Sequence, residues 1–126
     1  MKIFVRVTVK ILVIDDDQDT TKMLSKFLTE MSFETIVTND PMVGLKKIRR
    51  EHFDVILLDI NMPIVNGFGV IEMLAVADIL KDQNIFIFSG TQIPEIQLKN
   101  LLRRDGITGF LSKPIDVEKL VNVITN

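Results

Sequence analysis

The sequence predicts an α/β fold: five strands alternate with five helices, and a parallel sheet is covered on both faces. Three observations predict it. Short apolar runs recur along the chain, at residues 11–14 (ILVI), 53–58 (FDVILL, interrupted only by Asp54) and 85–88 (IFIF). Runs of this kind suit strands buried on both faces. The segments between them carry apolar residues at helical spacing, and the regular alternation of the two patterns argues for crossover-connected parallel strands.

Each element has its own reason. Residues 11–14 end abruptly at Asp15, Asp16 and Asp17. Met23, Leu24, Phe27, Leu28 and Met31 then mark one helix face, with Asp17 or Asp19 as its cap. Residues 33–38 (FETIVT) read as the second strand. Asp40-Pro41 supplies an N-cap and a first-turn proline for a helix reaching about Arg50. The third strand, 53–58, is followed by Asp59 and by a loop containing Asn61, Met62, Pro63, Asn66 and Gly67. Residues 70–80 resume a helical pattern. The fourth strand, 85–88, closes at Ser89-Gly90, and residues 94–104 are helical. Gly106 and Gly109 are expected to bracket a turn before a short fifth strand at 110–112, and 116–124 form the last helix.

Length and composition bound the rest. A chain of 126 residues is one domain's worth, and at this size roughly two thirds of the unfolded surface is buried on folding. The apolar share of 47% and charged share of 25% exclude disorder as the expected state. A net charge of −2 leaves no basic excess for neutralising phosphates, so direct nucleic-acid binding is not expected. With no cysteine, disulfides, thiolate nucleophiles and Cys-based zinc sites drop out. His52 stands alone and reads as a solvated loop residue, and the Lys46-Lys47 and Arg49-Arg50 run as the wet side of a helix. No apolar run approaches the roughly 18 residues of a membrane span. The start of the chain has no signal-peptide pattern, so it reads as soluble and cytoplasmic. Residues 1–9 are an N-terminal extension or a lengthened first strand; as an added edge they offer a surface for dimerisation.

Function is expected where the strands end, because open α/β sheets form sites beyond their carboxyl ends. Asp15 and Asp16 follow the first strand, Asp59 the third, Ser89 the fourth and Lys113 the fifth. Carboxylates brought together repel, and a hard divalent ion such as Mg2+ relieves this through oxygen ligands. With a lysine and a hydroxyl alongside, the set can receive a phosphoryl group: positive groups hold the equatorial oxygens while a carboxylate attacks.

ILVIDDD at 11–17, FDVILLDINMP at 53–63, FSGT at 88–91 and FLSKP at 110–114, in this order, make the sequence resemble the receiver domain of two-component response regulators, the CheY-like family. The resemblance covers residues 10–126. It implies a flavodoxin-like (βα)5 doubly wound sheet of strand order 2-1-3-4-5, with Asp59 as the phosphorylated residue. Asp15, Asp16, Asp59 and the main-chain carbonyl of Asn61 would hold Mg2+. Ser89 and Lys113 would contact the phosphoryl group, and Phe110 would act as an aromatic switch. The Lys113–Pro114 bond would be cis. The donor would be a phosphohistidine on a histidine kinase or phosphotransfer protein, and output would pass to an effector through the fourth helix, fifth strand and fifth helix. On this reading the chain is a single receiver domain over 1–126, not an enzyme acting on external substrate.

Departures from the family pattern are few. Asn66-Gly67 stands where Asp-Gly is common, and both pairs suit a positive-φ turn. Phe110 lacks a tyrosine hydroxyl, so its switch would be steric. Asn61 and Thr91 occupy places that tune water access in the family. Other readings are a pseudo-receiver interaction module, a flavodoxin-like ligand-binding domain for a flavin or nucleotide, and a phosphohydrolase. Three successive aspartates after the first strand oppose a bare phosphate cradle, and the full acidic, hydroxyl and lysine set opposes the pseudo-receiver.

Overall fold

A computed structural model of the chain describes residues 8–125. Its elements run in the order β1 (Lys10–Ile14), α1 (Gln18–Glu30), β2 (Glu34–Thr38), α2 (Pro41–Arg50), β3 (Val55–Asp59), α3 (Gly67–Val76), β4 (Ile85–Ser89), α4 (Glu95–Leu102), β5 (Ile107–Ser112) and α5 (Val117–Thr125), with a 3-10 turn at Leu80–Asp82. The strands form one sheet, ordered β2-β1-β3-β4-β5, and every pairing is parallel. This is the order the resemblance implies.

Alternation along the strands separates two cores. Leu12, Ile14, Ile56, Leu58, Ile85 and Ile87 face one side and pack with Leu45 and Ile48 of α2, Val70, Ile71 and Leu74 of α3, and Leu101 of α4. Ile11, Val13, Val55, Leu57, Phe86 and Phe88 face the other and pack with Leu24 and Leu28 of α1 and Leu120 of α5. Burial on both faces is why these strands are continuous apolar runs.

Helix ends follow local chemistry. The Asp17 carboxylate accepts from the Asp19 N–H at 3.0 Å and caps α1, and Asp40 accepts from Met42 at 2.9 Å to cap α2 ahead of Pro41. Helix α1 ends with Ser32 at φ 69°, where Phe33 N–H reaches Leu28 O and Ser32 N–H reaches Thr29 O. This paired closure satisfies the last carbonyls of a helix.

Several expected boundaries move. Helix α3 starts at Gly67 rather than Val70, because Asn66 is an N-cap whose side chain accepts from Gly69 N–H at 3.0 Å. It stops at Val76 because Asp78, at φ 59°, closes it as Ser32 closes α1. The expected positive-φ turn at Asn66-Gly67 is absent, since Asn66 has φ −84°. Gly67 is required by close approach instead: a Cβ there would lie 2.6 Å from the carbonyl oxygen of Asp59. Gly109 does not bracket a turn either. It lies inside β5, beside a register shift, where a Cβ would press the Phe86 ring at 3.0 Å. The strand therefore begins at Ile107, three residues before the expected start.

The expectation about residues 1–9 falls outside the described residues for 1–7. Of the remainder, Val9 accepts a hydrogen bond from Glu34 N–H at 3.0 Å, and β1 begins at Lys10. Among the described residues no helix is long and apolar enough to cross a membrane.

Gly106 supplies the turn into β5 at φ 99°, and a Cβ there would sit 1.9 Å from the Leu80 carbonyl oxygen. Gly106→Ala is expected to destabilise the fold by about 2–3 kcal/mol, from left-handed strain plus the clash, read as a lowered urea midpoint with an unchanged slope.

Candidate functional site

The parallel register brings the strand ends to one rim. Ile14 pairs with Leu58, Asp59 with Phe88, and Ser89 with Ser112. Asp15, Asp59, Ser89 and Lys113 therefore end neighbouring strands at the same edge. Asp59 stands at the C-terminal end of β3, as expected; it is the strand's last paired residue and is almost wholly buried. Asp15 and Ser89 are buried as well, whereas Asp16 is exposed.

The side chains converge. Lys113 Nζ lies 2.9 Å from Asp15 Oδ2 and 3.6 Å from Asp59 Oδ2. It also sits 5.1 Å from the centroid of the Phe88 ring, a cation–π contact that motif reading did not find. Asp15 Oδ1 accepts from the Asp17 N–H at 3.0 Å, and Asp59 Oδ1 from the Asn61 N–H at 3.2 Å. The Asn61 side chain donates to Ser89 Oγ at 2.7 Å and to Thr91 Oγ1 at 2.8 Å.

Electrostatics at the rim are unbalanced: three carboxylates face one ammonium. Burial pushes the Asp59 carboxyl up to about 7, and the neighbouring Asp15 charge adds to the rise, while the Asn61 N–H and the Lys113 charge only partly oppose it. Burial pulls the Lys113 ammonium down, but Asp15 and then Asp59 outweigh this and hold it above its ordinary value.

The donor set fits a hard divalent cation. One carboxylate oxygen from each of Asp15, Asp16 and Asp59 lies within 4.8 Å of the others. Asp15 Oδ2 is fully buried, and the Lys113 ammonium meets it as an ion pair at 2.9 Å. Three clustered carboxylates beside one ammonium leave surplus negative charge, which an oxygen-seeking cation matches.

Phe110 adds no polar atom to this cluster but borders it. It is half-buried on β5 and lines a cavity of about 470 Å³ with Ser89, Thr91, Ile93, Leu98 and Lys113.

Two supporting residues escaped the sequence reading. Asn39 donates through its amide to the Asp15 carbonyl and to Thr21 Oγ1, each at 2.9 Å, tying the end of β1 to α1. A lone asparagine after a strand carries no motif. Gly67, read as a turn residue, instead lets α3 pack against the Asp59 carbonyl.

The sequence matches the response regulator receiver domain family over residues 11–125. The chain belongs to this family. Its sequence is 26% identical to the two-component response regulator ARR10 of Arabidopsis thaliana over 119 residues, covering 93% of this chain and 21% of that protein. It is also 26% identical to the probable transcriptional regulator ycf29 of Pyropia yezoensis, covering 93% of this chain and 52% of the relative. The chain thus spans from about a fifth to about half the length of these relatives. Among solved structures, the chemotaxis protein CheY4 of Vibrio cholerae is 28% identical, with a TM-score of 0.81 over 94% of this chain and 98% of that one. The Francisella response regulator 1452 receiver domain is 25% identical, with a TM-score of 0.80 over 94% of each chain. The receiver domain described here accordingly has the flavodoxin-like CheY fold and belongs to two-component signalling.

The raised Asp59 carboxyl has a consequence for pH. The folded protein holds this proton to about pH 7, whereas the unfolded chain releases it near 3.8. Between these values the native state binds more protons, so this contribution falls as pH rises and is fully lost above about 7. In metal-free buffer, the stability gap between Asp59→Asn and the unaltered protein is expected to widen from pH 4 to pH 7 and then level off, as read by urea unfolding at each pH.

Proposed function

We propose that Asp59 accepts a phosphoryl group from a phosphohistidine on a kinase or phosphotransfer partner, and that the modification switches a protein-interaction surface. The observation that carries this reading is the position of Lys113, whose ammonium lies between Asp15 and Asp59 at the mouth of an acidic cluster.

Chemistry follows from charge. Ionised Asp59 attacks phosphorus through one carboxylate oxygen as the phosphorus–nitrogen bond breaks. The electron pair of that bond stays on the donor's imidazole, which leaves neutral with a proton on its other nitrogen. Asp15, Asp16, Asp59 and the main-chain carbonyl of Asn61 would hold Mg2+. When bound, the ion supplies the positive charge that lets the carboxylates ionise together and neutralises phosphoryl oxygens. Lys113 provides a second positive group, a mobile point charge suited to a phosphoryl oxygen. Ser89 provides a hydroxyl donor from the end of β4.

Arrival of the group draws Ser89 and the 90–93 loop inward and shifts the population of packings around α4, β5 and α5. The cavity behind Phe110 gives its ring space to move, and without a hydroxyl this motion acts by shape alone. Release is slow hydrolysis at Asp59, not turnover of an external substrate. Residues 10–125 act as one receiver unit.

Incubation with acetyl phosphate and Mg2+ is expected to add one phosphoryl mass to the intact protein, and omission of Mg2+ to prevent it. Asp59→Asn is expected to abolish the addition while keeping the circular dichroism of the fold. A labelled Asp59→Asn protein, or an unaltered protein that never gains the group, would overturn the assignment. Lys113→Ala is expected to slow labelling about tenfold or more, the scale of one lost charge-assisted contact in the transition state, with a smaller change in Mg2+ affinity by titration.

A further inference from the structure

We infer that the Asn61 carboxamide is a positioning residue that holds Ser89 and Thr91 in the unphosphorylated arrangement, so that its grip must be released before Ser89 can donate to a phosphoryl oxygen. This rests on the reading of Asp59 as acceptor and assigns the restraint on that site to one side chain.

The hydrogen-bond inventory of Ser89 is full. A serine hydroxyl has one proton to give and two lone pairs to accept with. Ser89 Oγ accepts from the Asn61 amide at 2.7 Å and from the Thr91 N–H at 3.0 Å. Its proton goes to Thr91, whose carbonyl lies at 3.0 Å and whose hydroxyl lies at 3.1 Å. Nothing remains for an incoming oxygen. Ser89 is also buried, so it cannot exchange these partners freely for water.

Asn61 closes the arrangement. Its amide group has two N–H donors, and both are used as a fork, one to Ser89 Oγ and one to Thr91 Oγ1 at 2.8 Å. The fork spans from the end of β3 to the start of the β4–α4 loop. The main chain of the same residue donates to Asp59 Oδ1. Asn61 therefore touches the acceptor through its backbone and the hydroxyl pair through its side chain. A change at Asp59 is felt by the residue that restrains the loop.

Asn61→Ala removes the fork and keeps the main-chain N–H and carbonyl. Hydrogen exchange of the Thr91 amide, measured by NMR on metal-free, unphosphorylated protein, is expected to speed up about three- to tenfold, the scale of one or two net hydrogen bonds. Labelling by acetyl phosphate with Mg2+ is expected to accelerate by a similar factor. Thr91→Val, which removes one arm, is expected to give a smaller rise in labelling rate, and the double variant no more than Asn61→Ala alone. Unchanged Thr91 exchange in Asn61→Ala would overturn the inference, as would slower labelling or a double variant with fully additive effects. The exchange arm reads the fork in a protein that has met no phosphodonor, so failure of the acceptor assignment, seen as no labelling of the unaltered protein, is distinguishable from failure of the fork.

Discussion

Two carboxylates sealed from water at the end of an apolar sheet, with one ammonium beside them, are the constraint on which the rest of this structure depends. Asp15 and Asp59 are both almost fully buried, and Lys113 reaches both. Burying like charges together is unfavourable unless a proton or a cation intervenes. The protein responds on the spot by holding the Asp59 carboxyl up near 7. The same imbalance makes the donor set compatible with a hard cation, since three carboxylates share one ammonium. The raised Asp59 carboxyl and the surplus of carboxylates are therefore two aspects of one arrangement.

The sheet makes this arrangement rigid. Its central strands are covered by α2, α3 and α4 on one face and by α1 and α5 on the other, so the rim from which the polar residues project cannot shift without disturbing both cores. Close contacts lock it further. Helix α3 rests on the Asp59 carbonyl through Gly67, and Asn39 fastens the end of β1 to α1. In contrast, Asn61, Thr91 and the loop after Ser89 lie at the exposed side of the rim. Rigid, buried acids thus stand beside a hydrogen-bonded, solvent-facing loop, the contrast on which the proposed switch relies.

Much of this was legible in the sequence because the two relevant signals are local. Unbroken runs such as ILVI and IFIF mark doubly covered strands, and the polar residue after each run falls at the rim by the geometry of parallel sheets. Asp40-Pro41 named a helix start with its mechanism. What was not legible depends on neighbours distant in sequence. Gly67 and Gly109 looked like turn residues, yet each is glycine because another segment presses on it, the Asp59 backbone in one case and the Phe86 ring in the other. The Asn66 cap was hidden for the same reason that helix α3 was placed late: Gly67, Phe68 and Gly69 break the apolar spacing at its first turn. Phe88, which the FSGT motif includes without assigning it a role, is the ring beneath the lysine.

Burial and the Asp15 charge hold a proton on Asp59 up to about pH 7, and the proposed cation would take that proton's place. The most direct test is a pH titration of the Asp59 carboxyl carbon by 13C NMR, with and without Mg2+. The account predicts a midpoint near 7 in metal-free protein and a fall of that midpoint toward the ordinary carboxylate range once Mg2+ is added. A midpoint already near 3.8 without metal, or one that saturating Mg2+ leaves in place, would contradict it.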